Sequence, residues 1–336
     1  MSSLRYRIQI KHHCALILGA LVFTACAPET KPSSPVIEAE TESTVFAKPD
    51  APYLLAFHSC DSAVLDCGDP RNHSVHIAES DNLYDWELTD IPIVQGSVPD
   101  LALIKGELWL YAFHWLQRYD LLTNQWTAPD EVAILNDLEE EWHADPAPYP
   151  SENGLSLVYL RTQLNGDPAR CADGENSCMK QFRWAQQADD SGLIFDHSEL
   201  LMTVELSGNQ QVAADPDLFD GPDGQYLYIS RGQSVQAFHR SSADQTFSML
   251  DEPFESMITR GIGGVPAGHF SPTHDSFFTF VASQIDSSGQ SVLKMAEHST
   301  MLELKEQDLV SLNLETYFSE TTTLSSPGLL TVEEWD

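Results

Sequence analysis

The chain has 336 residues, with 17 Lys and Arg against 51 Asp and Glu, a formal charge of −34. A surface of that sign repels phosphate backbones and anionic polysaccharides, which argues against nucleic acid and leaves neutral glycans, cations and basic proteins as partners. A hydrophobic fraction of 42% supplies a large core, and 19 prolines with 10% aromatics favour a turn-rich all-β chain over a helical one.

The first 25 residues read as an export signal. Arg5, Arg7 and Lys11 form a basic start, and an apolar run from Cys14 to Ala25 follows. That run is too short for a committed membrane span. It ends in Phe23-Thr24-Ala25-Cys26, which resembles the lipobox of bacterial lipoproteins with Phe in place of the usual Leu. The resemblance implies cleavage before Cys26, lipidation of Cys26 and membrane contact through the lipid anchor only. Ala27, where Asp would mark inner-membrane retention, implies an outer membrane lipoprotein facing the periplasm or the cell surface. An ordinary secretory signal cut nearby is the other reading. Residues 26–48, rich in Pro, Ser, Thr and Glu, read as a tether. Residues 49–336 remain as one folded domain, read as a monomer.

Beyond the leader and the lipid site, four cysteines remain: Cys60, Cys67, Cys171 and Cys178. Six residues separate the members of each pair. Four cysteines allow three connectivities. Local closure, Cys60 with Cys67 and Cys171 with Cys178, has the lowest entropic cost, and an oxidising compartment permits it. A zinc site is the rival reading, although the C-x₂-C spacing is absent.

The body repeats. Asp50-Ala51-Pro52 precedes YLLAF, Val98-Pro99-Asp100 precedes LALIKGELWLYAF, and His143-Ala144-Asp145-Pro146 precedes APYPSENGLSLVYL. Ala213-Ala214-Asp215-Pro216 precedes DLFDGPDGQYLYIS, and Val265-Pro266-Ala267-Gly268-His269 precedes FSPTHDSFFTFVA. The grammar is a proline beside a small or acidic residue, a short apolar stretch, a polar turn and an aromatic-rich strand. A further alternating strand, turn and short strand follow each. Each unit therefore predicts about four antiparallel strands, and five such units predict an all-β, five-bladed β-propeller of four-stranded antiparallel blades. Asp100, Asp145, Asp215 and His269 are expected at equivalent axial positions of their repeats. The wider spacing from Asp145 to Asp215 is expected to hold the Cys171–Cys178 segment as an insertion on one face. Gathering carboxylates and an imidazole at one axis is unfavourable unless they bind a cation, a sugar or water.

These segments resemble the five-bladed propellers of glycoside hydrolase family 43. DPDLFDGPDGQYLYIS (215–230) is similar to that family's Asp-Pro, apolar pair, Asp-Gly, Tyr-rich unit, and SDNLYDWEL (80–88) to its Ser-x-Asp-Leu-x-x-Trp turn. Val98-Pro99-Asp100-Leu101 looks like its Ala-Pro-Asp-Val segment. Gly268-His269 before Phe270-Ser271-Pro272 looks like its Gly-His-x-Ser segment, whose histidine helps hold an axial metal ion such as calcium, or its waters. The resemblance implies three axial acids: an Asp that activates water, a second Asp that tunes pKa, and a Glu that protonates the leaving oxygen. Inversion places base and acid roughly 6.5–9.5 Å apart. Asp145 matches the second Asp. Asp50 is the one candidate for the base. Where the family has Glu-Gly-Pro, this chain has Ala214-Asp215-Pro216, so Asp215 with its shorter arm takes the acid's place.

Asp145, Asp215 and Asp100 are thus the catalytic candidates, each with the alternative of a strand-start turn residue. His143 and Trp142 are candidates for binding substrate, a glycan or other small molecule, with core or inter-blade packing as the alternative for Trp142. His269 is the candidate metal ligand, with a satisfied core histidine as the alternative. Asp217, Asp220 and Asp223 read as turn-shaping, Trp109, Trp115 and Trp184 as packing, and the acidic run from Asp137 to Glu141 as a solvated loop. Three functions follow. One is an inverting glycosidase on neutral glycans with an incomplete family motif. Another is a non-catalytic propeller that binds a glycan, a cation or a protein. The third, a sialidase-like propeller, ranks last because SDNLYDWE lacks the glycine of the sialidase box.

Overall fold

The structure is a computed structural model. It describes residues 46–136, 139–151, 154–162, 169–172, 175, 177–207, 212–250, 256–285 and 290–335. The leader, Cys26 and most of the tether lie outside the described residues. Among the described residues no helix is long and apolar enough to cross a membrane.

Five antiparallel blades surround one axis, as the repeat predicts. From the axis outward, blade II runs Pro99–Ile104, Glu107–Ala112, Trp115–Asp120 and Gln125–Trp126. Blade III runs His143–Ser151, Gly154–Arg161, Ser177–Gln187 and Ile194–Ser207, with Ala133–Asn136 and Glu139–Glu141 added outside. Blade IV runs Ala214–Gly221, Gly224–Ser230, Val235–Arg240 and Ser248–Met249. Blade V runs Gly264–Ser271, Ser276–Gln284, Ser291–His298 and Val310–Ser311. Blade I departs from the sequence expectation. Its innermost strand is Thr322–Thr331, and Tyr53–Asp61, which contains YLLAF, is second, followed by Ser74–Ser80 and Glu87–Leu88. The last strand of the chain therefore closes the ring onto the first.

The core explains why the blades need one another. A four-stranded sheet has two apolar faces, because successive side chains of a strand point to opposite sides. Leu54 and Ala56 pack with Leu101, Leu103, Leu108 and Leu110 of blade II. Leu55 and Phe57 on the same strand pack with Phe278, Phe280 and Leu293 of blade V. The II–III seam joins Trp109 and Tyr111 to Leu157 and Tyr159. The III–IV seam joins Leu160 and Phe182 to Leu227 and Ile229, and the IV–V seam joins Tyr226 and Tyr228 to Phe277 and Val281. Both bridges form with the expected local pairing, Cys60–Cys67 and Cys171–Cys178.

The ring of innermost strands repeats one backbone irregularity five times. Val98, Asp145, Asp215, Val265 and Ser326 all lie near φ +50°, and each precedes a proline. A left-handed conformation is uncommon outside glycine and a genuine outlier for valine. In blades I, III, IV and V the pairing with the second strand slips at this dipeptide. Such a bulge is where proline, with no N–H to give to a ladder, is tolerated. Repetition around the axis marks it as a requirement of the ring.

Candidate functional site

This register corrects the expected alignment. Asp145 and Asp215 are equivalent to Val98, Val265 and Ser326. Asp100 stands two residues further along its strand, equivalent to Asp217, Ala147, Ala267 and Gly328, and His269 two residues further again, equivalent to Tyr149 and Phe219. The axis therefore carries two tiers of carboxyls. Asp50 is not axial: it is exposed and precedes the second strand of blade I. The ring position of blade I belongs to Ser326.

The first tier pairs neighbouring blades III and IV. The Asp215 N–H donates to Asp145 Oδ2 at 3.3 Å. Burial raises the Asp215 carboxyl well above the ordinary carboxylate range, the charge of Asp145 raises it further, and a hydrogen bond from Ser230 opposes the shift. Burial disfavours the charged form, and two close carboxylates do not both ionise readily. Burial and mutual repulsion thus favour one proton held between the two carboxyls. Asp145→Asn keeps an oxygen for the Asp215 N–H and removes the charge. It is expected to lower the Asp215 titration midpoint, readable by carboxyl ¹³C NMR.

The second tier faces across the axis. Asp100 and Asp217 are both deeply set. Burial, then Asp217, raises Asp100, while the Leu101 N–H at 2.8 Å opposes the shift. Burial brings Asp217 to about 7 against the pull of the Gly268 N–H, which donates to Oδ2 at 2.6 Å; Glu334 adds to the rise. Asp217 is therefore axial and not merely turn-shaping. The sequence carried a signal for it: like Asp100, it directly follows the ring proline. Of the other two, Asp220 accepts from the Tyr149 hydroxyl at 2.8 Å and Asp223 from Tyr226 at 2.8 Å. All four axial aspartates border a cavity of about 20 Å³, room for about one water-sized group.

A larger cavity of about 1300 Å³ opens at the end of the axis where the innermost strands finish. Asp100, Asp217, His269, Trp184 and the segment Glu333–Trp335 line it. His269 Nδ1 lies 3.3 Å from Glu334 and 3.5 Å from Thr331, with its ring edge-on to Tyr53. Among the described residues the one group of three close His, Cys, Asp or Glu ligand atoms is Cys171, Glu175 and Cys178, and a disulfide uses its two sulfurs. Among the described residues His269 therefore has no three-ligand protein set.

Trp142 is 51% exposed and not packed in the core. His143 turns into the blade, its ring edge-on to Tyr159. Its Nε2 is sealed without a partner, and burial lowers its pKa to about 4. Glu141 is buried and not solvated: it accepts from Tyr159 at 2.8 Å and pairs with Arg183 at 3.2 Å.

No family model matches the chain, and no curated protein matches it by sequence. Solved structures do. A GH43_1 enzyme from Xanthomonas citri is similar at 15% identity and a TM-score of 0.53, over 77% of this chain and 89% of its own. CoXyl43, a GH43 β-xylosidase/α-arabinofuranosidase from a compost microbial metagenome solved with xylotriose in a calcium-free form, is similar at 13% identity and a TM-score of 0.51, over 75% of this chain and 90% of its own. The fold is that of the five-bladed glycoside hydrolase family 43 propellers.

Proposed function

We propose that the chain is an exported propeller, anchored through lipid on Cys26 at the outer membrane, that acts on neutral glycans at the end of the axis where the innermost strands begin. The supporting observation is the Asp145–Asp215 pair. A glycosidase needs one carboxyl that keeps its proton near neutral pH and one that ionises. Burial and Asp145 give Asp215 the first property. In this reading Asp215 donates its proton to the leaving glycosidic oxygen while a water adds to the anomeric carbon and releases its own proton to solvent, which later reprotonates Asp215; Asp145 sustains the proton affinity of Asp215, and the exposed face of Trp142 stacks on sugar. The charge of −34 favours uncharged substrates.

A second reading has its own support. Ser326 occupies the blade I position at which the family resemblance expects the water-activating base, and valines occupy two more ring positions. A ring with two acids suits a binder of glycan without turnover. One experiment separates the readings: a screen of neutral aryl-glycosides and oligosaccharides for hydrolysis and, by calorimetry, for binding. Turnover is expected in the wild type, lost in Asp145→Asn and in Asp215→Asn with nearly unchanged melting temperature. Binding without turnover selects the second reading, and turnover retained in either variant removes that residue from the mechanism.

A further inference from the structure

The two disulfides occupy equivalent places. Each ties the connection between the second and third strands of its blade to a flanking strand: Cys67 to Cys60 at the end of the second strand of blade I, and Cys171 to Cys178 at the start of the third strand of blade III. Those connections fall at the end of the axis where the innermost strands begin. Each bridge joins residues seven apart, so it removes little chain entropy from the unfolded state compared with a long-range bridge. Stability alone is a weak reason for both to be there.

Their contacts give a better one, because each leads to the ring position of the next blade. In blade I, the Cys67 carbonyl accepts from His73 Nε2 at 3.1 Å, so His73 carries its proton there and Nδ1 accepts from the Ser97 hydroxyl at 2.7 Å. His73 stacks on His58 at 4.2 Å between ring centroids. His58, two residues before Cys60, accepts the Val98 N–H on Nδ1 at 3.2 Å. Val98 is the ring residue of blade II. In blade III, Cys171 ties the backbone after Ala169 to the start of the third strand at Cys178. The Ala169 carbonyl accepts the Ala213 N–H at 3.0 Å. Ala213 lies two residues before Asp215, and Ala169, Cys171 and Cys178 pack with Ala213, Ala214 and Leu218.

We propose that the disulfides are positioning elements: each bridge fixes the left-handed ring residue of the following blade, Cys60–Cys67 through His73 and His58 onto Val98, and Cys171–Cys178 through Ala169 and Ala213 onto Asp215. A residue held near φ +50° before a proline persists only where its surroundings over-determine it. The bridges supply that constraint from outside the ring, and Cys171–Cys178 thereby holds one member of the acid pair in place. The inference deepens the glycan reading by naming what aims its acid, but the test needs no glycan, so the two fail independently.

The test uses Cys60→Ser/Cys67→Ser and Cys171→Ser/Cys178→Ser variants of the full chain, read by amide hydrogen exchange and carboxyl ¹³C NMR. In the blade III variant, exchange at Ala213 is expected to accelerate at least about 10-fold, with Val98 unchanged. The Asp215 midpoint is expected to fall by about one pH unit as water reaches it, with Asp217 unmoved. In the blade I variant, Val98 accelerates while Ala213 and Asp215 keep their wild-type values. A uniform loss of protection across the core, or a lower melting temperature with Asp215 unmoved, overturns the proposal and leaves the bridges as plain staples. If a variant does not fold, a phosphine reduces the wild type under native conditions, and the same amides and carboxyls decide.

Discussion

Replacing Asp217 with Asn raises the stability of the propeller at pH 8 and leaves it nearly unchanged at pH 4. Burial lifts the native pKa of Asp217 to about 7, whereas an unfolded Asp titrates near 3.9. Between those values the native state binds more proton than the unfolded state, so stability falls as pH rises and stays low above pH 7. Asn keeps an oxygen for the Gly268 N–H and abolishes the charge. A shift of about three units corresponds to about 4 kcal/mol, and coupling to Asp100 together with partial access from the axial cavity reduces the expected gain at pH 8 to about 2 kcal/mol. Urea titrations of wild type and variant at both pH values measure it. Equal effects at pH 4 and pH 8, or a loss at pH 8, would show that Asp217 is not a desolvated carboxyl.

Four histidines act in the opposite direction over the same range. Burial lowers His58 to about 3, with His73 adding to the effect, lowers His76 and His143 to about 4 each, and lowers His298 as well. Unfolded histidines take up a proton near 6.5, so these groups withdraw stability as pH falls from 6.5 towards 4. The axial carboxyls withdraw it as pH rises through an overlapping window. The wild-type profile is therefore flatter than either set alone would make it, and Asp217→Asn uncovers the histidine slope. A site that stores protons at its axis is in this way offset by neutral imidazoles in its blades.

The repeats were legible because a propeller blade has a local grammar. Proline after the left-handed ring residue, an apolar pair, a polar turn and an aromatic strand recur in Val98–Ala112, Asp145–Leu160, Asp215–Ser230 and Val265–Ala282. Ser326-Pro327-Gly328 carries the same signal. Its place in the ring is hidden because sequence neighbours assign each strand to the unit that contains it, while ring closure takes blade I's innermost strand from the opposite end of the chain. The axial aspartates were legible as residue types but not as tiers. Asp100 follows its ring proline and Asp145 precedes one, a two-residue difference that the rise along a strand turns into two depths. Asp217 shared the spacing of Asp100 and was hidden by its place in Asp-Pro-Asp-Leu, where turn chemistry explains every residue equally well. The partners of His58 and Ala169 come from other blades, so no local pattern could announce them.

Ring closure depends on a glycine, and Gly328→Ala is expected to destabilise the propeller by about 3 kcal/mol, within the range of overpacking at rigid sites. A Cβ there would stand 2.5 Å from the Pro99 carbonyl oxygen, 2.6 Å from Asp100 Oδ1 and 2.8 Å from Asp100 Cα. Two of these atoms are backbone of the neighbouring innermost strand and cannot swing aside. The backbone of Gly328 is not in the left-handed region, so alanine carries no conformational penalty and its smaller unfolded-state entropy would by itself stabilise. Any loss is therefore steric and falls on the seam between blades I and II. Gly261→Ala serves as the contrast: its φ is +74° with nothing within 4 Å of an added Cβ, so it should lose only about 1 kcal/mol through backbone strain. The same crowding explains the small residues of the second tier. Ala147, Ala267 and Gly328 leave the axis to the carboxyls of Asp100 and Asp217, and a methyl group at 328 would press directly on Asp100. Guanidinium midpoints for the two variants decide the matter. A Gly328→Ala protein as stable as wild type would mean that the last strand does not lie against blade II, and the closed ring, with both acid tiers, would have to be abandoned.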